Sequence, residues 1–156
     1  MQPTYIQMRI SSTEVLSREL IAILSARTLN ELKDAIANNQ EYWVSVFQDL
    51  MKLDFSHLYH LRSYSHTSNY SYVTLDVAIR YMGNFANGSI AYGDAKNQEK
   101  KFRQLLNALS FIDCDIYVTL LTKRFKWSLV EELLGVNRGT ESEEPEEGSE
   151  VYGLPD

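Results

Sequence analysis

Cysteine is nearly absent from this 156-residue chain, strand-like alternation is scarce, and no apolar run approaches the ~20 residues of a bilayer span. A single cysteine, Cys114, excludes an internal disulfide framework and fits a reducing compartment. The glycines do not fall at the spacing of a phosphate-binding loop or a dinucleotide fingerprint, and no serine sits in a nucleophile elbow. The first ten residues lack the charged-then-apolar layout of a secretory leader, so the reading is an intracellular protein with no membrane association. Two Asn-X-Ser sequons, at Asn69 and Asn87, then read as plain loop residues.

What is present is enough to fold. The chain is 44% apolar and 12% aromatic, and a domain of this size buries roughly 70% of its unfolded surface without metal or disulfide. Its net charge of −6 is unevenly placed. Of 21 acidic residues, seven lie between Gly139 and Asp156, where there is no Lys or Arg; that leaves 14 acids against all 15 bases in residues 1–138. The body is electrically balanced and the acidity belongs to the tail.

The dominant period is helical. Ser11-Ser12-Thr13-Glu14 has capping-box spacing ahead of Val15, Leu16, Leu20, Ile23 and Leu24, which predicts a first helix ending near Ala26. Thr28-Leu29-Asn30-Glu31 repeats that signature for a second helix, which Asn38-Asn39 breaks. A third, Glu41 to Leu53, is apolar over most of its circumference and is expected in the middle of a bundle. Residues 54–62 could form a short helix, residues 63–71 read as an exposed polar loop, and Tyr70–Thr74 is the best strand candidate. Further helices are expected over Leu75–Met82, from an Asp94 cap through Leu109, from about Asp113 through Leu121, and from Ser128 to a closing Gly135. The fold expected is all-α: a compact bundle of about six to seven helices over residues 1–136. A flexible acidic tail, 137–156, is too poor in aliphatic residues to order alone. Its end, Val151-Tyr152-Gly153-Leu154-Pro155-Asp156, could dock as a tethered plug or simply aid solubility.

Few residues suggest chemistry. Cys114 stands between Asp113 and Asp115, which would raise its pKa rather than activate it. His57 and His60, with Asp54 one turn earlier, have a spacing that could hold a metal, but the segment also reads as amphipathic without one; His66 lies further on. No cofactor, metal or catalytic residue is therefore assigned. Two basic clusters stand out, Lys96, Lys100, Lys101 and Arg103, then Lys123, Arg124 and Lys126 interleaved with Phe125 and Trp127. Cations beside aromatics suit a single-stranded nucleic acid. Against that, the balanced body lacks the basic footprint of a nucleic-acid binder, so nucleic acid is not the expected partner. Residues assigned to partner contact are Lys123, Arg124, Lys126, Trp127, Tyr64, Tyr70, Tyr152 and Leu154, with the high tyrosine count pointing to contact with other proteins.

Gln98 to Leu109, Asp113 to Leu121 and Lys123 to Glu132 together resemble the C-terminal half of small helical proteins of T-even-type tailed bacteriophages. Those proteins carry a Phe-x-x-Leu-Leu helix, a second helix, a lysine-containing turn and a short last helix, and their role is unassigned. Here the turn is shorter and the acidic tail is extra. The resemblance implies a phage setting and transfers no catalytic residue. The functional expectation is a non-enzymatic structural or assembly protein of a phage-like particle, in the host cytoplasm or built into the virion. The alternative is a small regulatory inhibitor presenting its acidic tail to a basic partner such as a host nucleic-acid enzyme.

Overall fold

The structure, a computed structural model, describes residues 5–61 and 72–136, with side chains from Glu14 onward. Among the described residues there are seven α-helices and no strand. They are α1 (Tyr5–Ser25), α2 (Leu29–Ile36), α3 (Gln40–Lys52), α4 (Leu75–Arg80), α5 (Ala95–Ala108), α6 (Phe111–Leu121) and α7 (Trp127–Leu133). Short 3-10 turns at Ala37–Asn39, Ser56–Leu61 and Met82–Phe85 join them. The protein is all-α.

Local chemistry sets most helix ends. Thr28 caps α2, its hydroxyl accepting from Glu31 N at 3.1 Å, while the Glu31 carboxylate accepts from Arg27 N at 2.8 Å. The reciprocal bond of the capping box has thus moved one residue upstream. Asp94 caps α5 through Asn97 N at 2.8 Å, and Ser110 caps α6 through Asp113 N at 3.2 Å. At the end of α7, Gly135 takes φ +74; its N–H reaches Glu132 O at 3.1 Å and Val136 N reaches Glu131 O at 3.0 Å. That pair of bonds is a Schellman closure, for which glycine is the natural residue.

Four expectations are corrected. Helix α1 starts at Tyr5, so Ser11-Ser12-Thr13 lies inside it; no glycine or proline between Tyr5 and Ser11 stops the helix. Helix α3 is one-sided: Trp43, Val46, Phe47 and Leu50 are buried, whereas Tyr42, Val44 and Met51 are half-exposed. Helix α4 ends at Arg80, and Met82 opens a 3-10 turn instead of extending it. The strand expected at Tyr70–Thr74 finds no ladder: the Tyr72 and Val73 amides both donate to Ala108 O, at 2.8 and 3.1 Å, and Thr74 caps α4. Two amides converging on one carbonyl tie the chain to the end of α5 without pairing. Residues 70–71, the 63–71 loop and the 137–156 tail lie outside the described residues.

The central element is α6. Asp113, Cys114, Ile116, Tyr117, Val118, Leu120 and Leu121 are all buried, so it is covered nearly all round by α1, α4 and the rest of the core. Its one buried acid, Asp113, accepts from Ser17 Oγ on α1 at 2.9 Å and sits in the first helical turn, where the helix dipole favours a negative charge. Aromatic rings then run across the core: Tyr92 stacks on Phe85 (5.3 Å), Phe85 meets Phe102 (5.0 Å), and Phe102 meets Tyr117 (6.2 Å). Tyr117 is fully buried and donates to Ala78 O at 2.7 Å. Replacing it by phenylalanine should cost about 1–2 kcal/mol in urea unfolding, since the ring stays and a buried carbonyl loses its donor. A neutral result would mean that water reaches Ala78 O.

Candidate functional site

The Lys-Arg-Phe-Lys-Trp turn is the best-defined of the sequence-nominated places. Helix α6 closes as a second Schellman turn, with Lys123 N to Leu120 O at 3.2 Å and Arg124 N to Thr119 O at 3.1 Å. Lys123 therefore occupies the left-handed position, φ +56, that glycine holds after α7. A side chain there costs on the order of 1 kcal/mol. The turn recovers part of that, because the Lys123 ammonium lies 4.7 Å from the centroid of the Trp127 ring. Burial lowers the Lys123 pKa from its ordinary value, with Asp54 and Glu131 acting in the opposite sense. Lys126 Nζ donates to Arg27 O at 3.1 Å, satisfying a carbonyl just past the end of α1. Phe125 and Trp127 meet edge to face at 5.8 Å and pack against the core.

Lys123, Arg124, Lys126 and Trp127 are thus brought together, as their sequence adjacency requires. Lys123 and Lys126 are committed to contacts within the chain. The half-buried rings face the core rather than forming an open platform on which bases could stack. The other nominated residues, Tyr64, Tyr70, Tyr152 and Leu154, lie outside the described residues.

The first basic cluster is diluted by its neighbours. On the outer face of α5, Lys96, Lys100 and Arg103 share a shallow open depression with Glu99, Gln104 and Asn107. Arg103 pairs with Glu99 at 2.9 Å, and His60 meets the same carboxylate at 3.2 Å. Hydrogen bonds from His60 and then Arg103 hold the Glu99 carboxyl below the usual carboxylate range. The face carries mixed charge rather than a polyanion track.

The histidines serve α5 as well. His57 Nε2 lies 2.8 Å from Gln98 Oε1. A carboxamide oxygen only accepts, so Nε2 is the donor, while Nδ1 is buried without a partner among the described residues. Gln98 is itself buried and donates through Nε2 to Asn84 O (3.1 Å) and Ala86 O (3.0 Å). This four-way junction was not nominated from sequence; a glutamine on a polar helix gives no signal until its face is known. Among the described residues no group of three His, Cys, Asp or Glu side chains is placed to hold a metal. Cys114 is buried, and its thiol is pushed up to about 11, first by burial and then by Asp115, so it stays protonated near neutral pH. No described helix is long and apolar enough to cross a membrane.

Large apolar side chains outside the core complete the inventory. Ile90 is 84% exposed, Tyr72 78%, Ile112 49% and Phe111 44%. Tyr72 is joined through its amide to Ala108 O, and Phe111 follows three residues after Ala108, so the backbones of Tyr72, Phe111 and Ile112 all lie at the α5–α6 junction. Composition could not separate these from core residues, because a helix start looks apolar in sequence whether or not something covers it. No family model, curated protein or solved structure matches the chain.

Proposed function

We propose that this protein works through protein–protein contact and not catalysis, as a structural or assembly component of a phage-like particle. One observation carries the reading: two exposed apolar side chains, Phe111 and Ile112, open α6 where the backbone of the exposed Tyr72 is tied to the end of α5. Apolar and aromatic residues grouped on a surface are typical of the buried centre of an interface. The phage setting rests on the resemblance carried by residues 98–132, and with it the host cytoplasm or the virion as location. A second reading, an inhibitor acting through its tail, is favoured by the seven acids and no bases of residues 139–156. Such a segment would seek a basic partner.

Two variants separate these readings. Phe111→Glu with Ile112→Glu puts acids in the first turn of α6, where the helix dipole tolerates them, so the fold should hold. In gradient-purified particles from producing cells, the chain should appear at fixed stoichiometry and disappear for this double variant. Deleting residues 137–156 should leave incorporation and melting temperature unchanged. Incorporation lost only on tail deletion would overturn the α5–α6 surface as the contact and place assembly in the tail. Absence of the wild-type chain from every particle fraction would refute the assembly role.

A further inference from the structure

The chain holds a single Asn-Gly pair, Asn87-Gly88, and it lies on the exposed turn leading from Met82–Phe85 into α5. We propose that this pair is a self-modification site in the folded protein, where Asn87 deamidates through the Gly88 nitrogen and releases the 86–93 loop from Asp54.

Four observations support it. Gly88 N–H has no hydrogen-bond partner among the described residues, so its nitrogen is available once deprotonated. Gly88 is exposed, and a Cβ built on it would meet nothing within 4 Å, so the turn has open space around it. Asn87 itself is exposed. Its carboxamide is restrained only by Nδ2 donating to Asp54 Oδ2 at 3.2 Å, on the surface. A single exposed bond of that length holds back the reactive rotamer by no more than about tenfold.

The chemistry balances without a cofactor. The deprotonated Gly88 nitrogen attacks Asn87 Cγ, a C–N bond forms, and the Cγ–Nδ2 bond breaks. Nitrogen leaves as ammonia, carrying the proton, and a five-membered succinimide remains. Water then adds to one of its two carbonyls, giving aspartate, or isoaspartate with the main chain rerouted through the β-carbon. Nothing is oxidised or reduced.

Local consequences follow from what Asn87 holds. Asp54 Oδ1 accepts from Ser56 N at 3.2 Å and Oδ2 from Ser56 Oγ at 2.9 Å, while Asn87 N donates to Asp54 O at 2.7 Å. The Ser56 and Asn87 hydrogen bonds keep the Asp54 carboxyl below its usual range, so it is ionised at neutral pH. A new carboxylate at position 87 replaces a donor with a like charge. The isoaspartyl product also lengthens the backbone beside the Asn87 N–Asp54 O bond. Ile90, three residues on, is the most exposed of the large apolar side chains named above, so the change alters how the loop presents it.

The test uses the full chain, folded, at mildly alkaline pH and below its melting temperature. Peptide mapping with isoaspartate-specific methyl labelling should show conversion at Asn87 ahead of every other asparagine, and none at this position in Asn87→Gln. In Asn87→Asp, amide exchange across residues 86–91 should quicken several-fold. Conversion no faster than at Asn84 or Asn97, or conversion only in urea, would overturn the site. Unchanged exchange in Asn87→Asp would overturn the release.

Discussion

Trp43→Ala should lower the unfolding free energy by about 3–5 kcal/mol, the largest single-residue effect expected in this protein. Trp43 is the largest of the side chains with no exposed surface. Its ring meets Tyr42 edge-on at 5.1 Å and Phe47 at 6.3 Å, so truncation removes a ring and its neighbours' contacts together. The indole N–H donates to Glu19 Oε1 at 2.8 Å, stapling α3 to α1. That bond is the lesser loss, because Glu19 is only half-buried and can turn toward water. Trp43→Phe should therefore cost much less, about 1–2 kcal/mol. Urea unfolding followed by far-UV circular dichroism decides the matter. The midpoint should fall with the slope retained. A loss below 1 kcal/mol for the alanine variant would show that the site collapses, or that α3 packs loosely on α1.

The parts of this fold that could be read in sequence are those governed by short-range rules. Caps at Thr28, Asp94 and the glycine closure at Gly135 depend on side chains within four residues of the atoms they satisfy, and the structure shows all three. Errors arose where a local signature competed with a longer-range outcome. Ser11-Ser12-Thr13-Glu14 has a capping pattern, but helix propagation from Tyr5 is favourable and the cap residues are absorbed. Counting apolar residues points to α3 as the middle of the bundle. It belongs to α6, whose short sequence FIDCDIYVTLL hides its burial behind two aspartates. Those acids are tolerable because Asp113 finds Ser17 and the helix N-terminus, a pairing across 96 residues that periodicity cannot see. At the Lys-Arg-Phe-Lys-Trp turn the same limit applies. Lys123 and Lys126 look like free cations in sequence, and only the fold shows one over Trp127 and the other on the carbonyl of Arg27.

Gln98→Leu should be the next most damaging of the changes considered, at about 2–4 kcal/mol, although it adds no polar group and leaves almost no cavity. The two side chains are close in volume, so the cost lies in what is left unpaired. Gln98 donates to Asn84 O and Ala86 O and accepts from His57 Nε2. Each buried group stripped of its partner costs about 1–3 kcal/mol, less where water can enter. The His57 ring is the least able to compensate, because its other nitrogen already lacks a partner among the described residues. Ala86 O lies in the buried part of the junction, whereas Asn84 is half-exposed and can rehydrate. Damage should accordingly spread in two directions from α5, into the Ser56–Leu61 turn through His57 and into the 84–93 segment through Ala86. Amide exchange should accelerate in both segments while α1, α2 and α7 keep their protection, and urea unfolding should show the loss in free energy. If Gln98→Leu proves neutral, water must already serve these groups in the wild type. The junction would then be a filled gap, and the burial that holds α5 would come from Phe102 and Leu106.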